Sequence, residues 1–337
     1  MKQDKILLGH GSGGKLMHEL IEDVFFPAFS TQQTAFPSDS AVLTLENKRL
    51  SFSTDSFVVD PVFFPGGNIG KLAVCGTVND IAVSGAIPMW LSAAFIIEEG
   101  FPLNDLKEIV KSMADEARKA GIKIVTGDTK VVNKGQCDKI FINTAGIGLL
   151  DIKNENIGNG SLIKSGDKIL INGTIADHGM AIMKSREMKH FESNIVSDCA
   201  CLNHLIAKLS KECEIHFMRD ATRGGLATVT VEICQNKDYG VELIESQISV
   251  NEEVRGFCEL LGFDPMYVAN EGKFVLIVAE KDSEKALQIM KSDDLGKQAA
   301  IIGTINDNYK GLALLQTSIG GKRIIDMPAG EQLPRIC

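Results

Sequence analysis

GKLAVCGTVNDIAVSGAIPMWLSAAFII, residues 70–97, is the stretch whose reading decides the fold. Gly70 to Val83 is helical in pattern, and Gly85 and Pro88 break the chain behind it. Met89 to Ile97 is too short and too continuously apolar for a surface helix and reads as a buried strand. The uncharged run Ile81 to Ile97 is interrupted by Ser84, Gly85 and Pro88, so it is core and not a membrane span. A helix passing directly into a buried strand implies layered α and β structure.

Upstream, Ala41 to Leu45 and Leu50 to Ser53 are β-prone runs joined by Glu46-Asn47-Lys48-Arg49, a hairpin signal. Downstream, Leu106, Ile109, Val110, Met113 and Ala117 fall on one helical face, with Gly121 at the capping position. Ile122 to Thr126 and Phe141 to Leu150 then complete a ββαβαββ order, suited to an antiparallel or mixed sheet with helices on one face. The polar, turn-rich residues 151–166 mark a boundary. Beyond it, strands are expected at Lys168 to Asn172, His216 to Met218, Val241 to Ile244, Phe274 to Ala279 and Ile301 to Ile305. Helices are expected at Cys201 to Leu209, Leu226 to Cys234, Glu252 to Leu261 and Glu284 to Met290. The expected organisation is α+β with two α/β-layered domains. Residues 1–37 form a glycine-rich segment, 38–155 the first domain, 156–326 the second, and 327–337 a flexible tail. Pro328, Gly330 and Pro334 predict that Met327 to Cys337 is exposed and extended.

A length of 337 residues suits two domains of about 150 each. A net charge of -9 argues against nucleic acid or an anionic membrane as the main partner. The N-terminus offers only Ile6-Leu7-Leu8 before a glycine run, far short of a secretory signal. Eight cysteines without a CxxC pair then fit reduced thiols in the cytoplasm. Cys199-Ala200-Cys201 with His204 has the flavour of a zinc cluster, but no fourth ligand is near in sequence, and helix residues are the better reading.

Four aspartates each follow a small or polar residue beside a predicted element end: Asp39, Asp55, Asp80 and Asp128. Mg2+ wants oxygen ligands and bridges carboxylates to nucleotide phosphates, so the set suits an ATP site. Asp55 and Asp128 are expected to end strands, whereas Asp80 lies inside an apolar helix, where a carboxylate needs a metal or a cation. Lys130, two residues after Asp128, shares its face if the segment is extended; it suits charge on a transferring phosphoryl group, or else is a solvated edge lysine. Residues 9–15 nearly spell a P-loop, but Leu16 stands where Ser or Thr would hold magnesium. A flexible lid whose amides, at Gly11 and Gly13, cover phosphate is the better reading. Arg219-Asp220-Ala221-Thr222-Arg223-Gly224-Gly225 opens a helix and reads as an anion site through Arg219, Arg223, Gly224 and the free amides. Asp177-His178-Gly179 reads as a capping turn. Glu271, in Asn270-Glu271-Gly272-Lys273, reads equally as a general base and as part of a plain turn. The chain stops on Cys337, a thiol on a short arm, placed to carry something.

Together, Thr54-Asp55-Ser56-Phe57, Phe63-Phe64-Pro65-Gly66-Gly67, residues 79–86, Gly127-Asp128-Thr129-Lys130-Val131-Val132, residues 219–225, residues 270–273 and Pro334-Arg335-Ile336-Cys337 resemble the HypE family of hydrogenase maturation factors. That family belongs to the ATP-binding superfamily of aminoimidazole ribonucleotide synthetase, selenophosphate synthetase and thiamin-monophosphate kinase. The terminal motif separates it from its relatives, and the N-terminal glycine loop lacks the Cys or selenocysteine of selenophosphate synthetases. Ala221 replaces a Pro of some members, and Asp39 sits in Ser-Asp-Ser where others pair aspartates. The resemblance implies a carbamoyl dehydratase in which Cys337 receives a carbamoyl group from a separate transferase, HypF. ATP and Mg2+ then drive its dehydration to a thiocyanate, whose cyano group goes to iron on a HypC-HypD scaffold for [NiFe]-hydrogenase. By the same resemblance, Asp55, Asp80 and Asp128 hold Mg2+ and ATP, Glu271 or Lys130 handles the proton, and the first domain pairs into a dimeric β-barrel. Two other readings stand beside it: a small-molecule kinase or synthetase with an incidental Cys337, and a non-catalytic thiol chaperone for iron.

Overall fold

In a computed structural model, the protein is described at residues 14–20, 22, 41–45, 48–187, 193–328, 330, 333 and 335–337. Gly11, Gly13 and Asp39 lie outside these residues. A short helix, α1 (Lys15–Leu20), precedes the first sheet. In chain order follow β1 (Ala41–Leu45), β2 (Lys48–Phe57), the two-residue strands β3 (Phe63–Phe64) and β4 (Gly67–Asn68), α2 (Ile69–Val83), β5 (Ala86–Glu98), α3 (Leu103–Ala120), β6 (Lys123–Val132) and β7 (Ile140–Leu150). The sheet order is β1-β2-β7-β5-β6, parallel only between β5 and β6.

Asn68 starts α2, its side chain accepting from the amides of Gly70 and Lys71 at 2.9 and 3.1 Å. Every residue of α2 is buried except Lys71 and Asp80. A helix that apolar all round must be covered on all sides. Its inner face packs with Phe57, Leu91, Ile140 and Ile142 of the first sheet, and its C-terminal end, Ala82 and Val83, sits in the core of the second half beside Leu202, Leu205 and Phe274. Gly121 caps α3 in a left-handed conformation at φ 74°, as expected.

The second half contains β8 (Lys168–Ile171), α4 (Asp177–Glu187), α5 (Asn203–Glu212), β9 (Ile215–Asp220), α6 (Gly225–Cys234), β10 (Gly240–Ile244), α7 (Glu252–Leu261), β11 (Phe274–Val278), α8 (Ser283–Lys291), β12 (Ala300–Asn306), β13 (Ala313–Gln316) and β14 (Lys322–Ile325). Its sheet runs β14-β13-β10-β12-β8-β11-β9 and is also mixed, with β10 and β13 parallel. The α+β class with mixed sheets is therefore as expected, although β13 and β14 had no sequence-level counterpart.

Several local expectations need correction. Asp55 and Asp128 lie inside strands, because β2 runs on to Phe57 and β6 on to Val132. Cys199 and Cys201 precede α5 instead of forming its first turn. The end of the tail is not exposed: Ile336 is buried and joins the first core cluster, and Cys337 is half-buried against it. The Pro and Gly content excludes a helix or an internal strand, but not docking of the last three residues through their own backbone oxygens.

Candidate active site

The tail docks along the chain that follows β2. The Val58 amide donates to a terminal carboxylate oxygen of Cys337 at 3.1 Å, and the Asp60 amide to the Arg335 carbonyl at 3.2 Å. Arg335 returns Nε–H to the Val58 carbonyl at 3.0 Å and pairs with Asp138. Arg186, from α4, donates to the Arg335 carbonyl at 2.9 Å. His178 Nε2 donates to the Ile336 carbonyl at 2.7 Å, while Nδ1 meets the Ser197 hydroxyl at 2.7 Å. Burial lowers the His178 pKa, so the ring is neutral and the carbonyl fixes its tautomer as Nε2–H. Asp177-His178-Gly179 therefore does more than cap a helix; it receives the tail.

Docking carries Cys337 into a cluster of carboxyl groups around Arg223. The Arg223 guanidinium is held above its usual pKa by Cys337 first, then, against the cost of its burial, by Asp55, Glu271 and Asp80. Burial pushes the Cys337 thiol up to about 12, with Glu271, Asp55 and Asp220 adding to the effect and Arg223 opposing it. The docked thiol is thus protonated and unreactive at neutral pH.

Gly76 of α2 leaves room for the Phe57 ring beside Asp55. A Cβ there would press on the Phe57 ring at 2.9 Å and stand 3.7 Å from the Asp55 carboxylate. Asp80 is one helical turn beyond Gly76, on the same face, and accepts from the Ser53 hydroxyl at 2.7 Å. Burial raises the Asp55 pKa, with Arg223 and the Ser56 amide acting against it.

Glu271 is 3% exposed, and its Oε1 has no hydrogen-bond partner. Burial, and then Cys199, Asp220, Asp55 and Asp198, push its pKa well above the carboxylate range. Its backbone is fixed by a residue that the sequence reading missed. Asp198 accepts from the Glu271 and Gly272 amides at 3.1 and 3.2 Å and from Lys273 Nζ at 3.0 Å. Burial alone would raise the Asp198 pKa, but the Lys273 ammonium, by charge and hydrogen bond, and the Glu271 amide outweigh it and lower it. Gly272 is required there, since a Cβ would fall 2.0 Å from the Asp198 carbonyl oxygen. Asn79 adds a second strap: its side chain donates to the Ala200 and Glu271 carbonyls and accepts from the Leu202 amide at 2.8 Å.

Not all of the expected site assembles in one chain. Arg219 pairs with Glu232 at 2.9 Å, so within the predicted anion motif Arg223 supplies the charge in this cluster. Gly224 forms the N-cap of α6 at φ 76°. Asp128 and Lys130 share a face, as expected, and bind each other at 2.6 Å with side chains 63% and 67% exposed. They are far from Asp55: the register runs Asp55–Thr144–Ala93–Gly127 across the sheet, three strand spacings or about 14 Å. Asp128 is one residue on and so points to the opposite face. Within one chain, Asp128 therefore stands apart from Asp55, on the other face of the sheet.

Comparison with known proteins agrees with this architecture. Residues 37–150 match the family model for the AIR synthase related protein N-terminal domain, and residues 164–313 that for its C-terminal domain. The chain is similar to carbamoyl dehydratase HypE of Escherichia coli (strain K12), at 49% identity over 99% of this chain and 100% of the relative. Among solved structures it resembles a HypE-HypF complex, with a TM-score of 0.85 and 51% identity over 92% of this chain and 99% of the other. A hydrogenase maturation protein HypE in complex with ATP aligns with a TM-score of 0.82 and 44% identity, covering 99% of this chain and all (100%) of that one.

Proposed function

The chain belongs to the HypE carbamoyl dehydratase family, and on that premise we propose that Cys337 carries a carbamoyl group which the protein dehydrates to a thiocyanate with consumption of ATP. The observation that carries this reading is that the docked terminal thiol and Glu271, whose Oε1 has no partner, both act electrostatically on the same Arg223 guanidinium.

The chemistry has two halves. The thiocarboxamide oxygen attacks the terminal phosphorus of ATP, ADP leaves, and the nitrogen loses one proton. The C–O bond then breaks with phosphate as the leaving group, and loss of the second N–H proton completes the nitrile. Glu271 is the acceptor we assign for the proton. A carboxylate forced to ionise in an apolar site is a stronger base than one in water, so the raised pKa suits the task. Arg223 faces the negative charge that develops on the leaving group.

Asp55 and Asp80 present hard oxygen donors within reach of one guanidinium, with Asp220 and Glu271 beside them, and this excess of carboxyl groups fits Mg2+. Asp55 and Asp80 would hold the ion, which when bound would supply positive charge to offset that of the triphosphate. Asp128 and Lys130 join the nucleotide from a second copy of the chain. The face of the first sheet turned away from α2 exposes Phe52, Ile87, Trp90, Ile96 and Leu149, and β6 is an exposed edge. An apolar face bounded by a free edge strand is what closure into a dimeric barrel would cover.

A HypF-type transferase loads the thiol, which requires the tail to leave its pocket, and a HypC-HypD complex with iron accepts the cyano group, all in the cytoplasm. Intact mass of the C-terminal peptide tests the reading. Incubation with transferase and carbamoyl phosphate should add a carbamoyl group to Cys337, and Mg-ATP should then remove one water. An active transferase that leaves Cys337 unmodified would instead point to a small-molecule synthetase.

A further inference from the structure

Behind the active site, the fold gathers three cysteines and a glutamate that the dehydration does not use. Cys75 comes from α2, Glu116 from α3, and Cys199 and Cys201 from the strap before α5. The Cys75 and Cys201 sulfurs lie 3.4 Å apart, and one ligand atom from each of Cys75, Cys201 and Glu116 lies within 4.8 Å of the others. Cys199 is also near Cys75, but it stands outside this group of mutually close ligand atoms. Cys75, Glu116 and Cys199 are buried, whereas Cys201 is partly open, which gives an ion a way in.

From this geometry we propose a binding site for a thiophilic divalent cation of the Zn2+ class, ligated by Cys75, Cys201 and Glu116, with water completing the tetrahedron. Tetrahedral zinc with Zn–S bonds of about 2.3 Å holds its sulfurs about 3.7 Å apart, so the pair needs only a small adjustment. A carboxylate among thiols distinguishes the cluster from a latent disulfide, which would leave Glu116 without a role. Lys119 Nζ binds Glu116 at 2.7 Å and offsets part of the ligand charge. His204 is not a ligand, because its Nε2 is bonded to the Lys119 carbonyl at 2.8 Å.

The place of the ion gives it a role. Residues 197–202 position both halves of the pocket. Ser197 accepts from the Cys199 amide at 3.1 Å and contacts His178, which holds the tail, and Asp198 holds the Glu271 turn. An ion tying this strap to α2 and α3 would fix tail receptor and base relative to Asp55 and Asp80.

The test is a Co2+ titration of the reduced full-length protein. Expected are stoichiometric binding, thiolate-to-cobalt charge-transfer absorption with tetrahedral ligand-field bands, and displacement by Zn2+. Cys201→Ser and the isosteric Glu116→Gln should each weaken binding at least about tenfold, the loss seen on disturbing the surroundings of a metal site. Cys337→Ser should leave the titration unchanged. Absence of the thiolate band in the wild-type protein overturns the proposal whether or not the variants fold. So does a band that survives Cys75→Ser with Cys201→Ser, or one that vanishes with Cys337→Ser.

Discussion

The Glu271 pocket and the β6 edge carry two parts of one proposed reaction, yet they are built in opposite ways. Glu271 is 3% exposed, strapped by Asp198 and Asn79, and its raised pKa records a charge kept out of water. Asp128 is 63% exposed, and its pKa is lowered by Lys130 and the Thr129 amide. The first region is closed within one chain; the second is open to solvent. On the proposed reading, the chain that owns the tail supplies the base, Arg223 and the metal-facing carboxylates, and a second copy adds Asp128 and Lys130.

Removing the metal-facing carboxylate on the closed side should have the largest effect. Asp80→Asn removes a hard anionic ligand, so Mg-dependent ATP turnover should fall by several kcal/mol, on the order of 10³-fold. Unchanged turnover in a steady-state assay would place the ion elsewhere.

Lys130→Ala probes the open side and should cost about 10²-fold in dehydration. If Lys130 acts in a site owned by another chain, mixing Lys130→Ala with Glu271→Gln protein under exchange conditions should restore activity, because one site of each mixed dimer keeps both residues. Failure of exchanged mixtures to recover would return both regions to a single chain.

The smallest effect concerns docking. His178→Gln loosens a buried hydrogen bond to the tail worth about 1.4 kcal/mol, so iodoacetamide should label Cys337 about tenfold faster. An unchanged rate would mean that docking does not govern the thiol, whose pKa of about 12 belongs to the docked state.

The sequence makes the chemistry-bearing residues of both regions legible, because Asp55, Asp80, Glu271 and Cys337 stand in short motifs whose residue types already suit the reaction. It hides the supports. Asp198 meets the Glu271 turn across 73 residues, and His178 meets the tail across 158. Contacts of that range are set by packing and leave no local pattern. The tail misleads for a related reason: prolines forbid internal strand pairing but not donation from Val58 and Asp60 to backbone oxygens of the tail. Cys201 is unreadable as part of a cluster until α2 and α3 bring Cys75 and Glu116 to it. On the open side, periodicity places Asp128 and Lys130 on one face, but only the sheet register shows that Asp55 looks the other way.

Glu271 tests the account most directly. In Glu271→Gln protein loaded with transferase and carbamoyl phosphate, the mass of the C-terminal peptide should stay at the carbamoyl adduct after Mg-ATP is added, with dehydration slowed about 10²–10⁴-fold. In the wild type, a base with a raised pKa is inert while protonated, so the single-turnover rate should climb as pH rises through that pKa, well above the ordinary carboxylate range. Loss of water at the wild-type rate in Glu271→Gln, with the same pH profile, would contradict the assignment of the closed pocket as the place where the proton is taken.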